Sequence, residues 1–211
     1  MKIDIGGVVV ELLHKKALYI PDERLLVIAD VHLGKANHFR KNGVAIPAHV
    51  QRDDYDNLQA LIDEIKPAKV YFLGDLFHSD FNNDWHNFCD LIGANPSIQF
   101  TLIKGNHDII NQQKFGELCI DVVDMIEDNV FVYTHEPFKN VPAGKVNMVG
   151  HIHPGVVLSG MGRQSMKLPC FYREKQLLIL PAFGVLTGLY NMDAQKAMAI
   201  YLVLGDSVRM L

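Results

Sequence analysis

Short apolar runs alternate with polar segments along the chain, and the form of each run predicts a secondary-structure element. Residues 70–73 are four apolar residues without alternation, which is typical of a strand buried on both faces. This run is followed by Gly74-Asp75, so the predicted strand carries a carboxylate at its end. Residues 25–29 have the same pattern and are followed by Asp30.

Three more apolar runs are followed by residues that can bind a metal or carry a proton. They are residues 100–103 before Asn106, His107 and Asp108, residues 130–133 before His135, and residues 146–149 before His151 and His153. Ligands of open α/β sheets bind outside the carboxyl ends of the strands. Five runs of this kind therefore predict one shared site at the ends of the strands.

Two segments have the three- and four-residue apolar spacing of an amphipathic helix, from about residue 48 to 65 and from about residue 84 to 92. Pro67 ends the first and Gly93 ends the second. The other predicted elements are an antiparallel hairpin in residues 3–20, a basic loop with one helical turn in residues 34–47, and strands of a second sheet in residues 176–180, 197–204 and 208–211.

Composition indicates a single globular domain that spans residues 1–211, because 49% of the residues are hydrophobic and no linker or repeat interrupts the chain. The net charge of −4 argues against a general basic surface for nucleic acid. Three distant cysteines without a C-x-x-C pair favour a reducing compartment, and we expect a cytoplasmic protein. We expect no signal peptide, because Asp4 and Glu11 interrupt the N-terminal apolar stretch, and no membrane span, because the longest apolar stretch is shorter than about 20 residues.

The polar residues at the strand ends are carboxylates, imidazoles and an amide, without a thiolate. These ligands favour divalent manganese, iron or zinc. We group seven of them into two half-sites: Asp30, His32 and His153 for one ion, Asn106, His135 and His151 for the other, and Asp75 between the two. Two ions that share a carboxylate lie about 3.5 to 4 Å apart and readily deprotonate a bridging water.

The hydroxide formed in this way is the expected nucleophile. His107 is then available to protonate the leaving alkoxide, and Asp108 to orient the imidazole. These two residues are the predicted catalytic pair. Two dications would also neutralise the phosphoryl oxygens, which allows an acidic protein to bind an anionic ester.

The ordered set Asp-x-His, Gly-Asp, Gly-Asn-His-Asp, His and Gly-His-x-His, between Asp30 and His153, resembles the calcineurin-like metallophosphoesterase superfamily. The resemblance implies an α/β fold, namely a four-layer αββα sandwich of two mixed β-sheets flanked by helices. It also implies a dinuclear metal site and hydrolysis of phosphomonoesters or phosphodiesters.

A narrower resemblance is to the ligase-associated DNA damage response endonucleases. The motifs that carry it are Asp30-Val31-His32-Leu33-Gly34-Lys35 with Phe39-Arg40, Gly74-Asp75-Leu76-Phe77-His78-Ser79, Thr134-His135-Glu136-Pro137, Gly150-His151-Ile152-His153-Pro154 and Leu180-Pro181-Ala182-Phe183-Gly184. This resemblance implies manganese-dependent cleavage of DNA phosphodiesters in DNA repair, in functional association with an ATP-dependent DNA ligase.

Two further residues are predicted to contact substrate. The Arg40 guanidinium can bind a phosphate in a bidentate manner, with a solvated loop charge as the alternative. His78 follows Asp75 by three residues and either reaches substrate at the metals or caps the next turn. Asp53 and Asp54, at the start of a predicted helix, are explained by the helix dipole.

Two other functions are compatible with the same motifs. The acidic balance favours a small-molecule or nucleotide phosphoesterase that uses the same site. A non-catalytic partner-binding module on this fold is the third hypothesis, and the complete set of ligands together with His107 argues against it. The oligomeric state stays open, with a homodimer among the alternatives, and so does the choice of metal.

Overall fold

The computed structural model describes residues 1–47, 50–78, 83–106, 108 and 112–211. The strands in this part of the chain are β1 (Lys2–Ile5), β2 (Val8–Leu13), β3 (Ala17–Ile20), β4 (Leu25–Ala29), β5 (Lys69–Leu73), β6 (Gln99–Ile103), β7 (Asp121–Val123), β8 (Ile126–Glu127), β9 (Phe131–Tyr133), β10 (Val146–Val149), β11 (Pro154–Ser159), β12 (Ser165–Arg173), β13 (Leu177–Ile179), β14 (Tyr190–Asn191), β15 (Ala199–Val203) and β16 (Val208–Met210). The α-helices are α1 (Lys35–Lys41), α2 (Val50–Ile65), α3 (Asn83–Ala94) and α4 (Gln112–Glu117), and the short 3-10 helices are Pro21–Glu23 and Met161–Arg163.

The first sheet has seven strands in the order β1 to β7. Strands β1 to β4 are antiparallel, which confirms the predicted N-terminal hairpin, and β4 to β7 are parallel. In the parallel half, Ala29 pairs with Leu73, and Leu73 pairs with Ile103. The carboxyl ends of β4, β5 and β6 are therefore level, and the residues that follow them leave the sheet at one edge.

The second sheet is mixed and has nine strands, among which β10 lies parallel to both β9 and β13. The predicted strands near the C-terminus are confirmed as β13, β15 and β16. The β11–β12 hairpin was not predicted from the sequence. The first three residues of β12 are exposed and Pro169 lies in the middle of the strand, so its sequence lacks the apolar run that marks a buried strand.

The two sheets pack face to face around an apolar core. This core includes the fully buried side chains of Val27 and Leu73 from the first sheet and of Tyr133, Met148 and Phe171 from the second. Burial of such side chains is the main favourable term in folding. The core therefore holds the two sheets in a fixed relative position.

Helices α2, α3 and α4 cover the other face of the first sheet, where Leu58, Phe88 and Phe115 pack against Phe72 and Phe100. Both predicted amphipathic helices are confirmed, and α1 extends over seven residues where one turn was predicted. Two mixed sheets with helices confirm the predicted α/β sandwich. None of the described helices is long and apolar enough to cross a bilayer.

The outer face of the second sheet packs differently from the outer face of the first. Cys170, Tyr172 and Ile200 form its buried part, and Met192 and Ala197 of a connecting segment pack against them. In the part of the chain that the structure describes, non-helical segments thus cover this face, where the predicted four-layer sandwich has a second layer of helices.

We expect Phe171→Ala to lower the free energy of unfolding by about 3 to 5 kcal/mol, because it leaves a cavity between the two sheets. Urea denaturation measures the change. Met161→Ala is the control, since the Met161 side chain is 95% exposed and its loss should cost less than about 0.5 kcal/mol. Equal stability of the two variants would contradict the sandwich core.

Candidate metal centre

The carboxyl edges of the two sheets meet at the predicted site, and hydrogen bonds join them. The backbone amide of His151 donates to both carboxylate oxygens of Asp30, at 2.9 and 3.1 Å. The His135 Nδ1 atom lies 2.9 Å from the Leu73 carbonyl oxygen. Loops of the second sheet are thereby attached directly to the ends of β4 and β5 in the first.

One cluster of candidate ligands consists of Asp30, His32 and His153, whose donor atoms all lie within 4.8 Å of one another. Asp30 Oδ1 lies 3.5 Å from His153 Nε2. The Nε2 atoms of His32 and His153 are 3.4 Å apart. This is the first half-site that was predicted from the sequence.

A second cluster consists of Asp75, His135 and His151, again with donor atoms within 4.8 Å of one another. His135 Nε2 lies 3.5 Å from Asp75 Oδ1 and 3.1 Å from His151 Nδ1. The two clusters are adjacent, because Asp30 Oδ1 lies 3.9 Å from His135 Nδ1. Asp75 falls in the second cluster, and its role as a bridge between two ions stays a prediction.

The chemistry of these donors fits divalent cations. Asp30 is fully buried and Asp75 is 3% exposed, and two buried carboxylates at one site are costly without positive charge nearby. Imidazole nitrogens approach one another in both clusters, which is the arrangement of ligands that converge on one ion. Each cluster combines one carboxylate with two imidazoles, and such ligands favour manganese, iron or zinc.

The backbone of the candidate ligands is strained. Five of the seven candidate ligands have left-handed φ angles: Asp30 (+53°), His32 (+52°), Asp75 (+46°), His151 (+63°) and His153 (+54°). This conformation costs an L-residue about 1 to 2 kcal/mol, and such strain concentrates at functional sites. Tertiary contacts must therefore hold the ligands in place.

Glycines next to the ligands provide the space that this packing requires. Gly74 has φ of +72°, and a Cβ atom there would lie 2.2 Å from His135 Nδ1. A Cβ atom on Gly150 would lie 2.6 Å from Asp30 Oδ2. The Gly-Asp and Gly-His motifs thus reflect close contact between the two sheets.

Asn106, the seventh predicted ligand, lies beside the second cluster. Its side-chain amide donates to Glu136 Oε1 at 2.6 Å, and Glu136 Oε1 lies 3.9 Å from His151 Nε2. The hydrogen bond from Asn106 lowers the pKa of the Glu136 carboxyl, and His151 and His135 add to this effect. No role was predicted for Glu136, although its position directly after His135 was a signal for one.

The catalytic pair is described in part, because His107 lies outside the described residues. The Asp108 carboxylate accepts hydrogen bonds from the backbone amides of Gly105 at 2.8 Å and Leu76 at 2.9 Å. Burial raises the pKa of Asp108 above its usual value, and these backbone bonds oppose the increase. Asp108 therefore attaches the turn after β6 to the segment after β5, and its contact with His107 stays a prediction.

His78 lies beside the first cluster. Its ring packs edge-on against the His32 ring, with centroids 5.7 Å apart, and against the His38 ring at 4.9 Å. This position is compatible with contact to a substrate bound at the cluster, and the contact itself stays a prediction.

Arg40 makes hydrogen bonds within its own part of the chain. The guanidinium donates to the carbonyl oxygens of Ile46 and Pro47, at 2.9 and 2.8 Å, and to Asn37 Oδ1 at 2.8 Å. These bonds hold the loop that follows α1. The predicted contact of Arg40 with substrate phosphate stays a prediction.

Comparison with known proteins agrees with this geometry. The family model of the calcineurin-like phosphoesterases matches residues 23–192. The chain belongs to the calcineurin-like phosphoesterase family. Membership, together with the two ligand clusters, identifies a metal-dependent hydrolase of phosphoesters and confirms the predicted superfamily.

This phosphoesterase is similar to a solved structure, that of Pseudomonas putida nuclease MPE. The TM-score is 0.80 and the sequence identity is 29%, over 100% of this chain and 99% of the nuclease chain. Among curated proteins, the phosphoesterase has no match.

We expect Gly74→Ala to weaken Mn²⁺ binding at least about 10-fold, because the new methyl group would displace the His135 ring. Isothermal titration calorimetry measures the affinity. Gly7→Ala is a matched control: Gly7 has φ of +85° but no neighbouring atom within 4 Å of an added Cβ, so it introduces backbone strain without a clash. Wild-type affinity in Gly74→Ala would contradict the described packing.

Proposed function

We propose that this phosphoesterase cleaves phosphodiester bonds of DNA with two divalent metal ions, manganese by preference. The observation that carries the proposal is the pair of adjacent ligand clusters at one edge of the sandwich. Asp30, His32 and His153 would hold one ion, and Asn106, His135 and His151 the other, with Asp75 shared. The similarity to a nuclease over the whole chain supports a nucleic-acid substrate.

Two bound ions would supply a hydroxide nucleophile and neutralise the phosphoryl oxygens. In our proposal His107 donates a proton to the leaving alkoxide oxygen. Asp108, which the Gly105 and Leu76 amides hold in place, would orient the His107 imidazole. His78, next to His32, contacts a phosphoryl oxygen of the substrate.

A cleft of about 470 Å³ beside the second cluster supports an extended substrate. Its lining includes Asn106, His135 and Phe138, and the Phe138 side chain is 42% exposed. The backbone amide of Phe138 donates to the fully buried Asn147 at 2.7 Å, so the ring stands on an anchored segment. An exposed aromatic ring on a rigid backbone favours stacking by a nucleobase.

The motif resemblance also supports a role in DNA repair beside an ATP-dependent DNA ligase, and the cysteine pattern supports a cytoplasmic location. A nucleotide or other small phosphoester is the second candidate substrate. It is favoured by the net charge of −4. Rates on mononucleotides, cyclic nucleotides and DNA at equal phosphate concentration distinguish the two candidates.

We expect Mn²⁺-dependent hydrolysis of bis-p-nitrophenyl phosphate by the wild-type protein. On a DNA oligonucleotide, whose leaving group is a poor alkoxide, His107→Ala should lower kcat at least about 100-fold because the leaving group is no longer protonated. Asp75→Asn should abolish activity, because the shared ligand loses its charge. Absorbance of released nitrophenolate measures the Asp75→Asn rate, and gel analysis of the cleaved oligonucleotide measures the His107→Ala rate. The exposed His86 provides the control His86→Ala, which should have wild-type activity. Activity that survives both site substitutions would rule out the mechanism.

We expect Phe138→Ala to raise KM for a short DNA oligonucleotide about 10-fold, because one stacked base is lost. KM for an abasic oligonucleotide of the same length should not change, and Phe138→Tyr should retain the wild-type KM for both. Steady-state kinetics on the two oligonucleotides measure the effect. Equal KM values of wild type and Phe138→Ala for the base-bearing strand would exclude stacking on Phe138.

A further inference from the structure

A buried carboxylate outside the metal centre is connected to it through a short segment of chain. We infer that Asp54 is a positioning residue, which holds Phe183-Gly184-Val185 against the end of β4 and thereby fixes Asp30. The inference rests on the proposed metal-binding function. It assigns to Asp54 a role that the helix dipole does not explain.

The first observation is the partner of Asp54. Its side chain lies in α2, is 9% exposed, and its Oδ1 atom accepts a hydrogen bond from the Val185 amide at 2.9 Å. On the same helix Asp53 is half-buried and Asp56 is exposed. A charge that only complements the helix dipole needs no burial and no partner 131 residues away.

The second observation is that the same segment donates hydrogen bonds to the backbone carbonyl of Asp30 and to that of the residue before it. The Phe183 amide donates to the Ala29 carbonyl at 2.9 Å, and the Gly184 amide donates to the Asp30 carbonyl at 3.1 Å. A Cβ atom on Gly184 would lie 2.5 Å from the Val31 carbonyl oxygen, so the segment packs directly on this backbone. These bonds act where Asp30 has the unfavourable φ of +53°.

Two lysines interact with the Asp54 carboxylate that binds the Val185 amide. Lys16 Nζ donates to the Phe183 carbonyl at 3.3 Å and attracts the Asp54 carboxylate, and Lys35 attracts Asp54, Asp30 and Asp75. Burial raises the pKa of Asp54 to about 6 and lowers the pKa of both lysines. Burial therefore disfavours the charged carboxylate, and the Val185 amide and the two lysines offset part of this cost.

The experiment compares Asp54→Ala with Asp54→Asn, and uses Asp56→Ala as the matched control on an exposed turn of the same helix. Mn²⁺ affinity is measured by isothermal titration calorimetry. Amide hydrogen exchange of the metal-free proteins is measured at residues 183–185, and urea denaturation verifies that each variant is folded.

We expect Asp54→Ala to weaken Mn²⁺ binding about 10-fold and to accelerate exchange of the Gly184 and Val185 amides. Asp54→Asn should remain close to wild type, because its side-chain oxygen still accepts the Val185 bond. Asp56→Ala should equal wild type in both measurements. A merely structural role would lower stability without these local changes.

Gly184→Ala tests the same contact without a change at Asp54, and it keeps the inference testable if Asp54→Ala does not fold. Gly184→Ala should also weaken Mn²⁺ binding and accelerate amide exchange in residues 183–185. Wild-type affinity and exchange in Asp54→Ala or in Gly184→Ala would overturn the inference, as would equal losses in Asp54→Asn and Asp54→Ala. If the wild-type protein binds no Mn²⁺, the proposed function fails, and the exchange comparison alone decides the role of Asp54.

Discussion

The structure depends on one constraint: buried carboxylates and imidazoles must converge while their backbone adopts an unfavourable left-handed conformation. Asp30 is the clearest example, because it combines full burial with φ of +53°. Its carboxylate is held by the His151 amide and its carbonyl by the Gly184 amide. Bonds from distant segments thus offset the local strain, as expected where strain is part of a functional site.

This constraint makes the sandwich core part of the site. Asp30, His32 and Asp75 follow strands of the first sheet, whereas His135, His151 and His153 follow strands of the second. Each ligand cluster contains members from both sheets, so neither sheet forms a cluster alone. The buried residues between the sheets, such as Tyr133, set the distance between the two halves of the centre.

The strands that end at the site were predictable because their signal is local. A continuous apolar run with Asp or His among the next two residues identifies β4, β5 and β9 from the local sequence alone. The signal fails for the β11–β12 hairpin, which is partly exposed, and for Glu136, whose contacts with Asn106 and His151 form only in the folded chain.

By itself, the sequence determined the family, the strands and helices that lead to the site, and the grouping of five candidate ligands into two clusters, with Asp75 predicted between them. Only the tertiary structure decided how those ligands are supported. The bond between Asp54 and Val185 and the bond between Asp30 and His151 join residues more than a hundred positions apart. Apolar periodicity reports which face of an element is buried, but it carries no information about which distant amide a buried carboxylate will meet.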